Sequence, residues 1–205
     1  MKRFILLLLA VIAIVPTTEA KRRETPEEIA RKTRHYAGWE WSAEGRFNLI
    51  FCDTSFEKVL NEPLVMSYNA QAKLGGDVLV GGGYFINNNW RVGFELGAQI
   101  QYNYTVMPVA ITARYFYGTR KNCLFNFVNM GTNVLFNKGL RFGALAEGGV
   151  GVRLQSPDSP LKYDIMLGYK ATMLNPRPHG GDFMADKVNF KKVNQSVYIG
   201  LGVNF

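Results

Sequence analysis

The chain is poor in the residues that most often carry catalysis or bind metals. It has two histidines and two cysteines among 205 residues, so a nucleophile–histidine pair or a zinc site has few possible members. His35 lies in a charged segment, and His179 lies in a stretch rich in proline and glycine. No group of His, Cys and carboxylate residues has the spacing of metal ligands. We therefore expect no catalytic, cofactor or metal site.

Long apolar runs are missing after the first twenty residues, so no transmembrane helix is expected. The start of the chain has a basic pair, an apolar run from Phe4 to Val15 and small residues at Thr18 and Ala20. This order is typical of a secretory signal peptide. We expect residues 1–20 to be that peptide, and since no cysteine directly follows it, a lipid-anchored lipoprotein is not expected.

Acidic residues are outnumbered by basic ones, 16 to 24, which gives a formal net charge of +8. An exported chain seldom meets nucleic acid, so we expect no nucleic-acid partner. Contact with anionic lipopolysaccharide, or plain solvation of the charged side chains, explains the excess better.

Residues 21–37 form a charged segment in which we expect a short helix. Thr25 suits the N-cap, Pro26 the first helical position, and Glu28 stands three residues after the cap, which is the pattern of a capping box. The predicted helix covers about 26–35. Because it carries few apolar residues, we expect it to be little buried, on the periplasmic side of the membrane.

From Gly38 to Phe205 apolar and polar residues alternate with a period of two, which predicts β-strands. Eight strands are predicted, at about 38–51, 70–86, 90–104, from the turn near Asn103 to Gly118, 123–136, 140–154, 161–174 and 193–205. Short turns are predicted at 87–89, 119–122, 137–139 and 156–160, and long loops at 52–69 and 175–192. In the fifth strand the pattern does not decide which residues face inward, because both Phe125 and Phe127 on one face and Leu124 and Val128 on the other are apolar.

An even number of alternating strands predicts an all-β fold, an eight-stranded antiparallel up-and-down transmembrane β-barrel over residues 38–205. A soluble barrel with an apolar interior also alternates, but three features favour lipid. Strands of roughly 13–15 residues span the hydrocarbon layer when tilted, and both long loops fall at the same end. Aromatic residues also collect at strand ends. The expected girdle residues are Trp39, Trp41, Trp90, Tyr117, Tyr163 and Phe205 on the periplasmic side, and Phe51, Tyr102, Tyr104 and Phe136 on the outer side.

The last strand, residues 193–205, ends on an aromatic residue after strict alternation of Val197, Ile199, Leu201 and Val203. This resembles the C-terminal signature of bacterial outer-membrane barrels, which implies recognition by the barrel-assembly machinery. We expect the strand to close the barrel against residues 38–51, with Phe205 near Trp39.

Charged residues in mid-strand fall on the face opposite the apolar one. Eight strands leave an interior that side chains can fill, and charges placed there must be paired. We therefore expect a lumen filled by an ion-pair network. Its expected members are Glu40, Glu44, Arg46, Lys73, Asp77, Arg91, Glu95, Arg114, Arg141, Glu147, Arg153, Lys162, Asp164 and Lys170.

The same strand assignment separates the two cysteines. Cys52 ends one strand at the outer rim, and Cys123 begins another at the periplasmic rim, too far apart for a disulfide. We expect two free thiols.

Several degenerate motifs suggest a family. They are Met107-Pro108-Val109, Arg114-Tyr115-Phe116-Tyr117-Gly118, Gly149-Val150-Gly151-Val152-Arg153 and Tyr198-Ile199-Gly200-Leu201-Gly202-Val203-Asn204-Phe205. With them, residues 38–205 resemble the small outer-membrane β-barrels common in Bacteroidetes-type bacteria, porin-like barrels of the OmpX and OmpA kind. The resemblance implies location in the bacterial outer membrane, with its lipid and lipopolysaccharide as partners.

For function, we expect a monomeric, non-enzymatic barrel with a structural or surface-interaction role through loops 52–69 and 175–192. Two alternatives remain open. One is a narrow ion or solute pore. The other is a lipid A-modifying enzyme, in which His179 beside Asp182 would act with Ser55 or Ser67.

Overall fold

The computed structural model describes residues 25–59, 64–70, 72–101, 104–135, 141–155, 159–174 and 188–205. The chain divides into two compact units, residues 1–31 and 32–205. Predictions for the signal peptide, for the turn at 137–139, for most of the loop at 175–192, and for Tyr102, Phe136 and His179 lie outside the described residues.

Helix α1 (Pro26–Lys32) begins at the predicted capping box. The amide of Thr25 donates to Glu28 Oε2 at 3.0 Å, and the amide of Glu28 donates to Thr25 Oγ1 at 3.3 Å. The helix is shorter than predicted because Thr33 leaves the helical path and forms an isolated β-bridge with Arg120. Among the described residues, no helix is both long enough and apolar enough to cross a bilayer.

Nine strands account for most of the described chain. They are β1 (Gly38–Val59), β2 (Val65–Asn69), β3 (Lys73–Phe85), β4 (Trp90–Gln101), β5 (Tyr104–Phe116), β6 (Cys123–Leu135), β7 (Arg141–Gln155), β8 (Lys162–Leu174) and β9 (Val188–Asn204).

All neighbouring strands are antiparallel, and from β3 to β9 each pairs with the next in the chain. β1 pairs with β3 on one side and with β9 on the other, which closes the sheet on itself. Eight strands therefore form a closed barrel, and β2 adds a short ninth strand along residues 53–57 of β1. This confirms the predicted eight-stranded up-and-down barrel.

The two faces of the barrel wall have the opposite polarity to those of a soluble barrel. Outward side chains are apolar and exposed; Val78 and Ile111, for example, are each 68% exposed. Inward positions carry most of the buried charged side chains. In β6 the inward aromatic residues are Phe125 and Phe127, while Leu124 and Val128 face outward. The core of the molecule is thus the lumen itself.

At one end of the barrel, which we call the turn end, the connections β3–β4, β5–β6 and β7–β8 are all short. Residues 86–89 turn there as predicted, with Asn87 Oδ1 accepting hydrogen bonds from the amides of Asn89 at 2.9 Å and Trp90 at 2.8 Å. Gly118 in the next turn has a φ of +70°, a left-handed conformation that glycine adopts without a steric cost.

The opposite end, which we call the hairpin end, differs from the sequence prediction. Residues 52–69 were predicted to be a loop, but β1 runs on to Val59, and β2 folds back along it. The register on β9 shifts between Ile50 and Cys52, which marks a β-bulge at Phe51. A bulge inserts one residue and exchanges the two faces while pairing continues, so the alternation breaks although the strand does not.

The last strand is also longer than predicted. β9 starts at Val188 rather than at residue 193, and its first residues pair with β1 as far as Val59. Residues 53–59, 65–69 and 188–194 together form three adjacent strands at this end. We call this part of the sheet the three-stranded extension.

Candidate functional site: the filled lumen and its two ends

Most of the predicted lumen charges lie inside the barrel and are buried. Eleven of the fourteen are buried, namely Glu40, Glu44, Arg46, Asp77, Arg91, Glu95, Arg114, Glu147, Arg153, Asp164 and Lys170. Lys73 and Lys162 are partly buried, with side-chain exposures of 16% and 17%. The side chain of Arg141 lies outside the described part of the structure.

Two arginines organise the centre of the lumen. Arg46 donates to Glu44 at 2.7 Å, Glu95 at 2.8 Å and Glu147 at 2.6 Å. Arg114 also contacts Glu44, and it reaches Glu95 at 2.7 Å. Glu44 and Glu95 therefore bridge the two guanidinium groups. These carboxylates come from β1, β4 and β7, so the cluster ties distant strands together across the barrel.

A second cluster lies toward the turn end. Arg153 donates to Asp164 from Nε and Nη2, both at 2.7 Å, the bidentate geometry that arginine forms best with a carboxylate. Asp164 also accepts from Arg114 at 3.0 Å, which links this cluster to the centre. Glu40 faces three cations: Arg91 Nε at 3.3 Å, Arg153 Nη1 at 3.1 Å and Lys162 Nζ at 2.6 Å.

A third cluster lies toward the hairpin end. Asp77 accepts hydrogen bonds from Lys170 Nζ and, at 2.8 Å, from Asn48 Nδ2. A small cavity beside it is lined by Arg46, Asp77, Glu95, Glu147 and apolar side chains. Such a space has room for about one water molecule.

The three clusters are balanced in charge. Their carboxylates are Glu40, Glu44, Asp77, Glu95, Glu147 and Asp164, and their cations are Arg46, Arg91, Arg114, Arg153, Lys162 and Lys170. Isolated charges in so dry a place would cost several kcal/mol each. With equal numbers of each sign among these described residues, the clusters need no bound counter-ion.

An aromatic layer closes the lumen at the turn end. Phe85, Phe116, Phe125 and Phe127 are buried there, with neighbouring ring centroids between 5.2 and 6.2 Å apart. The guanidinium of Arg153 lies 4.5 Å from the centre of the Phe116 ring, close enough for a cation–π contact. The aromatic layer therefore packs directly against the ionic cluster that contains Arg153.

Residues 33–37, which we call the N-terminal strap, lie across the same end. Arg34 is fully buried and donates to Cys123 Sγ at 3.1 Å, and to the carbonyls of Phe116 at 3.3 Å and Gly118 at 2.7 Å. The helix predicted over about 26–35 was expected to be little buried, and that prediction is wrong for Arg34. It missed that an arginine can satisfy its donors on the carbonyls at a barrel mouth.

Tyr36 completes the strap. Its amide donates to Asn88 Oδ1 at 2.9 Å, and its ring lies 4.8 Å from that of Phe85. Burial raises the pKa of Tyr36 to about 12, so at neutral pH the hydroxyl stays protonated and donates to Gln155 Oε1 at 3.3 Å.

An apolar cluster occupies the lumen near the hairpin end. Val106, Leu135 and Leu174 are buried in contact there, each at most 3% exposed. Beside them, Asp53 accepts from Lys73 at 2.6 Å and Lys192 at 3.3 Å. The described lumen thus has a layer of apolar or aromatic side chains on each side of its ionic centre.

Most predicted girdle residues are exposed on the outer wall. Those at the turn end are Trp39, Trp41, Trp90, Tyr117, Tyr163 and Phe205, and Phe51 lies toward the hairpin end. Trp39 and Trp41 stack at 6.2 Å, and Phe51 lies 6.3 Å from Tyr169. The side chain of Tyr104 is not among those described.

The sequence prediction missed several neutral members of the lumen. Asn129 donates to Glu95 at 3.2 Å and to Glu147 at 3.0 Å. Tyr198 lies 5.1 Å from the Arg46 guanidinium and donates to Glu147 at 3.4 Å. The position of Tyr198 on the inward side of the last strand was a usable signal.

The described residues contain no group of His, Cys, Asp and Glu side chains that could hold a metal ion. His35 is exposed. Both cysteines are free and buried, at opposite ends of the barrel.

No protein-family model matches the chain, and no curated protein matches it. Among solved structures, it is similar to Neisserial surface protein A, with 14% identity, a TM-score of 0.42 and coverage of 82% of this chain and 98% of that one. It is also similar to the N-terminal β-barrel domain of Pseudomonas aeruginosa OprF, with 12% identity, a TM-score of 0.41 and coverage of 80% and 97%. A secretin-domain β-barrel, InvG from the Salmonella injectisome, matches at 10% identity and a TM-score of 0.20, covering 98% of this chain and 66% of that one. None of these similarities assigns the chain to a family.

Proposed function

We propose that the chain is an integral outer-membrane β-barrel protein with a filled lumen and a structural or surface-interaction role. The inverted polarity of the wall carries this proposal. Outward side chains such as Val78 and Ile111 are apolar and exposed around the barrel, whereas the inward side is charged. Soluble proteins seldom expose apolar patches beyond a few hundred Å², and a wall of this kind matches lipid.

The orientation follows from the connections. In bacterial barrels the short turns face the periplasm, and the longer connections face outward. We therefore place the turn end and the N-terminal strap in the periplasm. The three-stranded extension then stands outside the cell, and it takes over the interaction role proposed for loops 52–69 and 175–192.

The filled lumen favours a scaffold over a pore. An ion crossing the barrel would have to pass the aromatic layer and the apolar cluster of Val106, Leu135 and Leu174. It would also have to break ion pairs in a dry interior, at several kcal/mol for each charge. The lipid-modifying alternative depends on His179 and Asp182, and both lie outside the described residues.

The proposed partners are membrane lipid, lipopolysaccharide at the outer surface, and the barrel-assembly machinery through the C-terminal strand. The pairing of β9 with β1 supports the last of these, since that strand closes the barrel. We propose a monomer, because the sheet closes within one chain. Membership of the small Bacteroidetes-type barrels is a proposal that rests on the sequence motifs alone.

Location and orientation can be tested together with two exposed positions. Ser67 lies in the extension and Thr119 at the turn end, and both are exposed, whereas Cys52 and Cys123 are buried and should give little background. We expect the protein in the outer-membrane fraction of a density gradient. A membrane-impermeant maleimide should label Ser67→Cys on intact cells and Thr119→Cys only after lysis. Inner-membrane or soluble protein, or the reverse labelling, would refute the proposal.

A further inference from the structure

Strand β2 has one edge that no other described strand covers. It pairs with residues 53–57 of β1, and it stands at the end of the strand order. All five of its residues are exposed. An unpaired strand edge is a template for another strand, so the direction of its main-chain groups decides what it can bind.

That direction can be worked out from the closing pair of the barrel. Trp41 and Phe205 exchange main-chain hydrogen bonds in both directions, each at 3.0 Å. Hydrogen-bonded and non-hydrogen-bonded pairs alternate along an antiparallel ladder. Before the bulge, the odd-numbered residues of β1 therefore form their main-chain hydrogen bonds with β9. The bulge at Phe51 shifts the register, and Cys52 lies opposite Gln195. Beyond the bulge, even-numbered residues therefore bond to β9.

The odd-numbered residues above the bulge consequently bond to β2. Ser55 lies opposite Ser67, so the main chain of Ser67 points back to β1. By the same alternation, Met66 and Tyr68 direct their N–H and C=O groups toward the free edge. The edge thus offers two residues, spaced as the ladder requires, for a further strand.

The side chains of the edge are uncharged. Residues 64–70 read Leu-Val-Met-Ser-Tyr-Asn-Ala, and Met66 and Tyr68 are 63% and 66% exposed on one face. Tyr68 lies beside Cys52, and a hydrogen bond with the Cys52 thiol raises the pKa of Tyr68. Proteins usually protect an exposed edge with lysine, proline or a bulge. Within residues 64–70 no such protection exists.

A second copy of the chain in the same membrane does not fit this edge. Strands of such barrels are tilted by about 35–45°, and two copies would be related by an axis along the membrane normal. Their β2 strands would then cross at about 70–90°, twice the tilt. Adjacent strands in a sheet are rotated by at most about 35°. The bound strand must therefore belong to a segment that is free to align with β2, which a second barrel in the same membrane is not.

We propose that the free edge of β2 binds an extended segment of another polypeptide by β-strand addition. The bound segment is uncharged where it meets residues 64–70, and every second residue is apolar to lie beside Met66 and Tyr68. Main-chain hydrogen bonds supply the affinity, and the alternating side chains supply the selectivity. The assignment to an extracellular partner rests on the proposed function, but the binding itself does not.

The test uses the full chain in lipid nanodiscs and a dye-labelled ten-residue peptide in which threonine alternates with valine and phenylalanine. Two further versions of the peptide carry N-methyl groups on one or the other set of alternate residues. A strand that adds to an edge uses only one of its own two edges. We expect one methylated version to lose affinity by about tenfold or more and the other to bind like the parent peptide.

Protein variants test the same edge from the other side. Met66→Pro removes an N–H that faces the free edge and leaves the bonds to β1 in place. It should weaken binding by about tenfold or more, whereas Met66→Leu, which keeps the amide and the side-chain volume, should bind as the parent protein does.

Three results would overturn the inference. They are no binding of the parent peptide, equal binding of all three peptides, and a dimer in nanodiscs that Met66→Pro abolishes, which would assign the edge to a second copy. If the protein binds the peptide but is found outside the outer membrane, the proposed function is refuted and the edge site is not. If it is found in the outer membrane but does not bind the peptide, the edge site is refuted and the proposed function is not.

Discussion

Trp41 and Phe205 exchange two main-chain hydrogen bonds, each 3.0 Å from nitrogen to oxygen. They join the last residue of the chain to the first strand, so the predicted closure of the last strand against residues 38–51 is confirmed. Phe205 lies opposite Trp41, whose ring stacks on that of Trp39. The end of the chain thus takes part in sealing the barrel.

Deleting Phe205 should destabilise the barrel more than replacing it with alanine. The deletion removes both hydrogen bonds, each worth about 0.5–1.5 kcal/mol, whereas Phe205→Ala keeps the main chain. Urea unfolding of protein refolded in lipid vesicles measures the difference. In cells we expect Phe205→Ala to lower the amount of assembled barrel even though it keeps the main-chain hydrogen bonds, because the assembly machinery would recognise the Phe205 side chain. Equal assembly of Phe205→Ala and the parent protein would contradict that reading.

Arg114→Met should strongly destabilise the protein. It leaves Glu44, Glu95 and Asp164 without one of their cations, and breaking a buried ion pair costs about 3–5 kcal/mol. The double variant Arg114→Met/Glu95→Gln should recover part of that loss, since it restores the balance of charge. The free energy of unfolding in urea is the measurement, and a loss below about 1 kcal/mol would mean that water reaches the cluster.

Gly168→Ala should be destabilising because Tyr198 lies across that glycine. A Cβ at position 168 would stand 2.5 Å from Tyr198 Cζ and 2.7 Å from Cε1. The ring has little room to move, since Arg46 and Lys170 lie over it at 5.1 and 5.7 Å. We expect a loss of about 1–3 kcal/mol in the free energy of unfolding. Gly45→Ala is the control, because nothing lies within 4 Å of its added Cβ.

Arg34→Met should expose the Cys123 thiol. Arg34 Nη1 contacts Cys123 Sγ at 3.1 Å and holds the strap over it, and Cys123 is 8% exposed. We expect the rate of maleimide labelling of Cys123 to rise about tenfold or more, as local opening becomes easier by over ~1.4 kcal/mol. Cys52, at the other end, should label at an unchanged rate within the same molecule. His35→Ala, next to Arg34 but exposed, should leave both rates unchanged.

Much of the barrel could be predicted because lipid imposes a simple rule on the sequence. Each strand must keep apolar residues outward at every second position, so strands such as β4 and β8 could be placed to within a few residues. The rule fails where lipid ends. Above Phe51 the bulge exchanged the faces of β1, and residues with little apolar alternation were taken for a loop.

The interior was harder to predict than the wall. Charged lumen residues stood out because they interrupt apolar strands, yet their partners depend on closure of the barrel and cannot be assigned from one strand. Arg34 and Tyr36 gave no signal, since a basic segment before a barrel is usually solvated. Their burial depends on the rings of Phe85 and Phe116 and on the carbonyls of Phe116 and Gly118, which barrel closure brings together at the turn end.

The central claim, that the lumen is filled, is tested most directly by conductance. Purified full-length protein should insert into planar lipid bilayers without forming stable channels, because the ionic clusters and the layers on both sides leave no continuous path through the described lumen. A porin of known conductance, inserted into the same bilayers, is the positive control. Stable, ion-selective channels from the unaltered protein would contradict the account.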